Sequence, residues 1–135
     1  MLLLQAMTSK LNVTDFPSYL AFVYALKKPP EILIKEMTAA KADATHMAMG
    51  IAGEAGELVD AIKKWTIYNR DLDVVNVKEE LGDLAFYMTG LMELMGITLE
   101  EVIAMNVAKL QKRYDSLTYT DADATARKDK QCKLQ

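Results

Sequence analysis

Two pairs of acidic residues, Glu54-Ala55-Gly56-Glu57 and Glu80-Leu81-Gly82-Asp83, constrain this chain more than any other feature in it. Each pair is spaced i, i+3 inside a segment whose apolar residues recur with helical period, so both carboxylates of a pair share one helix face. The polar run Asn69-Arg70-Asp71-Leu72-Asp73 separates the two segments and reads as the turn of a helical hairpin. With the hairpin's midpoint between Tyr68 and Asn69, equal rise along antiparallel helices sets position 57 level with 80 and 54 level with 83. Four carboxylates then face one another across one seam. Such a group repels itself unless a cation lies within it, and ligation by oxygen alone suits Mg²⁺, with Mn²⁺ the alternative.

Helical signals continue on both sides. Thr14 or Asp15 caps a first helix that tolerates Pro17 in its first turn and stops before Pro29-Pro30, and residues 31–37 start a further helical segment. A long helix covers about 39–67. The next begins near Asn76, with Glu79 three residues on, and ends at Met95 with Gly96 as its cap. Another runs from Thr98, partnered by Glu101, to about Tyr114. No stretch sustains a two-residue alternation. The fold class is therefore all-α: a bundle of four to five helices built on the antiparallel hairpin. Met88, Leu91, Met92 and Met95 crowd one helix, so completion by oligomerisation, as homodimer or homotetramer, is expected. Residues 1–119 form the single domain. Residues 120–135, which hold almost nothing large and apolar, form a polar C-terminal tail, mobile or laid as an arm over a neighbouring subunit.

Composition enters by exclusion. A length of 135 residues is one domain, and a net charge of −3 lacks the basic excess of a non-specific nucleic-acid binder. No uncharged apolar run approaches the roughly 18 residues of a membrane span. Met1-Leu2-Leu3-Leu4 is too short, and lacks the charged flank, to be a signal peptide. The single cysteine, Cys132, makes no internal disulfide, and a cytoplasmic location is expected.

Five of the six glycines, Gly50, Gly53, Gly56, Gly82 and Gly90, fall inside the predicted helices. Together they forgo about 2.5–5 kcal/mol of helical preference relative to alanine, so something must compensate. Close helix packing explains Gly50 and Gly90. Gly53, Gly56 and Gly82 flank the acidic pairs, where small residues leave room for metal ions and a bulky polyanion.

A lone Glu-x-x-Glu is usually a solvated helix face, whereas two in register are not so easily dismissed. Lys64 lies two turns past Glu57 on nearly the same face, suited to partner it or a phosphate; Asp60 and Glu79 are expected toward solvent. A di-iron centre needs two Glu-x-x-His elements, but His46 is the only histidine and no glutamate precedes it by three. Zinc is disfavoured by the same shortage. Asn106, Lys109 and Arg113 form a second polar stripe, an amide and two cations able to receive phosphate oxygens. His46, Trp65, Tyr68 and Tyr87 are the candidates for contact with a base, each more commonly a packing residue.

Gly53-Glu54-Ala55-Gly56-Glu57-Leu58 with Asp60 and Lys63-Lys64, then Glu79-Glu80-Leu81-Gly82-Asp83, then Asn106, Lys109-Leu110 and Arg113-Tyr114, together resemble the MazG-like nucleoside triphosphate pyrophosphohydrolases of the all-α NTP pyrophosphatase superfamily. The resemblance implies an oligomeric helical bundle that hydrolyses a nucleoside or deoxynucleoside triphosphate to the monophosphate and pyrophosphate with Mg²⁺. It implies Glu54, Glu57, Glu80 and Asp83 as the catalytic metal ligands, and Asn106 and Lys109 as phosphate-binding residues assisted by Arg113. Some members place another acidic residue immediately before the first motif glutamate; here that position is Gly53, which leaves the general base open between a carboxylate of the quartet and metal coordination alone. The alternatives are a catalytically silent, metal-stabilised bundle that binds a nucleotide or a protein as a regulator, and a related pyrophosphohydrolase acting on a metabolic intermediate such as phosphoribosyl-ATP.

Overall fold

Helices account for all the regular structure in the computed structural model, which describes residues 14–130. The chain divides into two units, Met1–Thr38 and Ala39–Gln135. In the first, α1 (Phe16–Leu26) is capped by Asp15, whose carboxylate accepts from the Ser18 N–H at 2.8 Å while the Ser18 hydroxyl accepts from the Asp15 N–H at 3.2 Å. Pro17 sits in its first turn, as the sequence predicts. A second helix, α2 (Pro30–Glu36), opens on a proline, whose missing N–H has no partner to lose there. The run Met1-Leu2-Leu3-Leu4 and Cys132 lie outside the described residues.

In the second unit, α3 (Ala39–Thr66) and α4 (Val74–Met95) pack on each other as the expected hairpin. The turn is made by Asn69, which adopts a left-handed φ of 51°, a conformation that asparagine tolerates better than most residues. That bend lets the Arg70 N–H donate to the Lys64 carbonyl at 3.1 Å. Helix α4 starts two residues before its predicted position because Asp73 is its cap and accepts from the Asn76 N–H at 3.0 Å. It stops at Gly96, left-handed at φ 64°. Close packing holds the hairpin where two glycines allow it: a methyl group at Gly50 would strike the Tyr87 ring, and one at Gly90 would lie 2.7 Å from the Met47 sulfur. Tyr87 in turn meets His46 edge to face, with ring centroids 6.0 Å apart.

After Gly96, α5 (Leu99–Arg113) begins with the predicted capping box, Thr98 accepting from the Glu101 N–H at 3.2 Å and Glu101 from the Thr98 N–H at 2.7 Å. The described part of the tail, through residue 130, is ordered by local contacts. It forms α6 (Asp121–Ala126) and a 3-10 turn, Lys128–Lys130, both packed on α5 of the same chain. Arg113 makes a forked contact to Asp129 at 2.8 and 3.0 Å, and Lys128 bridges Asp115 and Asp123 at 2.8 and 3.1 Å. Hydrogen bonds from the guanidinium hold the Asp129 carboxyl down to about 2 from an ordinary 3.8. A carboxyl depressed in the folded state contributes stability that is complete above its unfolded value and lost as pH falls through the folded one. The 121–130 segment is therefore expected to release from α5 between pH 3.8 and about 2. Amide exchange at 121–130 in that window, faster than in the hairpin, is the measurement that checks it.

Candidate active site

Of the described residues only Ala61 and Glu80 are buried, one small apolar side chain and one acid, both on the half of the hairpin nearer its turn. Glu80 enters from α4 with 8% of its surface exposed, facing the i, i+3 pair Glu54 and Glu57 of α3. One carboxylate oxygen from each of the three lies within 4.8 Å of the others. Burial, then the charges of Glu57, Glu54 and Asp83, then a hydrogen bond with Glu54, push the Glu80 carboxyl above its usual range. The like charges come from both helices, so the hairpin holds them together against their repulsion.

Three of the four expected carboxylates form the cluster. Glu80 meets both glutamates of α3, while Asp83 is exposed and stands outside the three-way cluster, close enough for its charge to act on Glu80. Three carboxylates in this arrangement fit a divalent cation: hard oxygen donors, mutually repelling, beside open space. A Cβ at Gly53, Gly56 or Gly82 would meet nothing within 4 Å, so these glycines border free volume. The adjoining cavity, of about 330 Å³, is lined by Gly53, Gly56, Glu57, Asp60, Lys64 and Glu80, together with Asn76.

Two of these residues add to the sequence reading. Asp60, expected toward solvent, is half exposed; it also lines the cavity and binds Lys64 at 2.9 Å, one helical turn away. Hydrogen bonding and charge from Asp60 raise the Lys64 ammonium and lower the Asp60 carboxyl, which keeps both ionised. Asn76, read only as a helix start, also borders the site. Its α4 position one turn before Glu80 was the available signal.

The stripe on α5 is placed apart. Asn106 and Lys109 are exposed, α5 packs chiefly on α6 and the 3-10 turn, and the cavity beside the carboxylates is lined by hairpin residues alone. Arg113 is held by Asp129. Of the candidates for base contact, Tyr87 is engaged with Gly50 and His46, Tyr68 lies 5.1 Å from the Lys63 ammonium, and Trp65 is 48% exposed.

An all-α hairpin with a cluster of facing carboxylates beside a polar cavity offers oxygen donors for a divalent cation next to space for a polar ligand. Residues 43–118 match the MazG nucleotide pyrophosphohydrolase domain, and the chain belongs to that family. A curated relative, the gene 37 protein of Mycobacterium phage L5, is 36% identical over 78 residues, spanning 53% of this chain and 66% of that relative's length. No solved structure gives a significant match. Among the described residues no helix is long and apolar enough to cross a membrane.

Proposed function

We propose that this protein hydrolyses a nucleoside or deoxynucleoside triphosphate to the monophosphate and pyrophosphate with the help of Mg²⁺. The observation that carries this reading is the Glu54, Glu57 and Glu80 cluster, gathered within 4.8 Å by two helices and opening on a polar cavity. The MazG match over residues 43–118 supports the reaction class. When bound among these carboxylates, the divalent ion supplies a Lewis acid that acidifies water and offsets phosphate charge. Glu54, Glu57 and Glu80 are its ligands, with Asp83 completing the set from the rim.

The chain's other residues orient and balance. Asp60 fixes Lys64 beside the cavity, where the ammonium meets phosphate oxygens without losing its proton. Gly53 and Gly56 keep the wall open to a polyanion. Asn106 and Lys109 are proposed as further phosphate contacts, brought to the cavity when protomers assemble. Assembly into a homodimer or homotetramer is supported by the scarcity of core: Ala61 is the one buried apolar residue described, while Met49, Val59, Phe86 and Met95 are 69%, 65%, 67% and 57% exposed.

The test is incubation of the purified protein with a panel of ribo- and deoxynucleoside triphosphates and Mg²⁺. The expected products are pyrophosphate and the monophosphate, lost on chelation and absent from Glu57→Ala. Release of orthophosphate instead would contradict the reaction. No product from any member would favour the silent nucleotide- or protein-binding bundle.

A further inference from the structure

Beyond the carboxylates the polar volume continues. A second cavity, of about 290 Å³, is lined by Ala61, Lys64, Arg70, Asp71, Asp73 and Asn76 at the turn end of the hairpin. Lys64 and Asn76 border both cavities, so they stand at the junction of one groove that runs from Glu57 and Glu80 toward Arg70.

The cations in that groove are placed by backbone devices. Left-handed Asn69 reverses the chain, and the Arg70 N–H closes onto the Lys64 carbonyl at 3.1 Å, which anchors Arg70 back over the last turn of α3. The two side chains are near enough for the positive charge of Arg70 to act on the Lys64 ammonium, a repulsion that the turn sustains. Asp60 offsets Lys64. Asp73 caps α4 and its charge also acts on Lys64, so the carboxylates of the groove balance Lys64, and Asp71 lines the same cavity without an ion pair to Arg70. Among the described residues the Arg70 guanidinium has no hydrogen-bond or ion-pair partner, though five donors project from it.

We infer that Arg70, with Lys64 and Asn76, forms the subsite for the terminal phosphate of a triphosphate whose inner phosphates lie at the carboxylate cluster. The inference rests on the nucleotide reading above and adds its polarity: the phosphate chain runs along the hairpin toward the turn, and the nucleoside leaves the groove at the opposite end. A planar guanidinium is suited to a terminal phosphate, whose oxygens accept a forked contact; the amide of Asn76 supplies a neutral donor between the two cations. Arg70 would thus set the preference for a triphosphate over a diphosphate.

Calorimetric titration with α,β-methylene-ATP and α,β-methylene-ADP in Mg²⁺, which resist cleavage at the attacked bond, reads this directly. The wild-type protein is expected to prefer the triphosphate analogue. Arg70→Gln is expected to weaken its binding by about 10- to 100-fold, the range for one lost charge-assisted hydrogen bond, and to leave the diphosphate analogue unchanged. Lys78→Gln, which removes an equal charge from α4 without touching either cavity lining, is expected to keep the preference. Arg70→Gln with an unaltered preference, or with both analogues weakened alike, would overturn the assignment while leaving hydrolysis by the wild type intact. A wild type that neither binds the triphosphate analogue nor cleaves any nucleotide would remove the subsite together with the catalytic reading.

Discussion

Glu80→Gln is expected to unfold at a higher temperature than the wild type in the absence of metal, and to have lost turnover. The two effects have one cause. Glu80 is buried against Glu54 and Glu57, so its negative charge is opposed both by desolvation and by its neighbours. Glutamine keeps the shape and the hydrogen bond with Glu54 and removes the charge, so it relieves the metal-free hairpin. The same substitution removes the ligand that α4 contributes to the cluster, and activity should fall by at least about 10²–10³-fold, the scale set by deleting one preorganised electrostatic contact. Mg²⁺ should raise the unfolding temperature of the wild type, because a ligand that binds only the native state stabilises by mass action, and should do so far less in the variant. The pH dependence has a matching sign. A carboxyl raised in the folded state binds its proton more tightly there, so the metal-free wild-type hairpin gains stability as pH falls through that value, and Glu80→Gln loses this gain. Calorimetric scans with and without Mg²⁺, set beside pyrophosphate release, decide the matter. A variant that is active, or destabilised without metal, would show that Glu80 packs rather than ligates.

The hairpin was legible because its signals are local and repeated. Helical period, two i, i+3 acidic pairs and one polar break settle the two helices and their turn, and a common midpoint predicts that the pairs meet. Level spacing along two axes does not specify rotation about them. Glu80 consequently sits against both α3 glutamates while Asp83 is left at the rim. Asp60 and Arg70 are both named in the sequence reading, but their places beside the cavities were not legible there, for a related reason. The role of Asp60 depends on which way its side chain leaves α3, and that of Arg70 on a left-handed residue that folds the chain back by one turn. The tail was the least legible part. Its order comes from ion pairs between residues up to sixteen positions apart, Arg113 to Asp129 and Lys128 to Asp115, and no periodic pattern announces such contacts. That pairing also bears on the α5 stripe, since a guanidinium with one edge forked onto a carboxylate already has its charge offset before any phosphate arrives.

The unfolding temperature of the wild type is expected to rise with protein concentration, and Met49→Glu is expected to abolish that dependence. Among the described residues Ala61 is the one buried apolar side chain, too little surface burial to offset chain entropy, so contacts between copies are expected to supply most of the stability. An apolar groove of about 550 Å³ runs along α3 and α4 between Met49, Ala48 and Ala52 on one helix and Leu91 and Met95 on the other. Met49 is 69% exposed there, and burying such a side chain contributes about 1.5–3 kcal/mol in each copy. A carboxylate in its place would have to be desolvated on assembly without a partner, which is costlier than the lost contact. Met49→Glu should therefore sediment as a monomer, unfold over a broad range well below the wild type, and lose hydrolysis in step with dissociation if Asn106 and Lys109 reach the cavity from a neighbouring copy. Activity that survives in a proven monomer would place the whole reaction on one hairpin. Sharp unfolding at a temperature independent of concentration would show that α3, α4 and α5 find their core within a single chain.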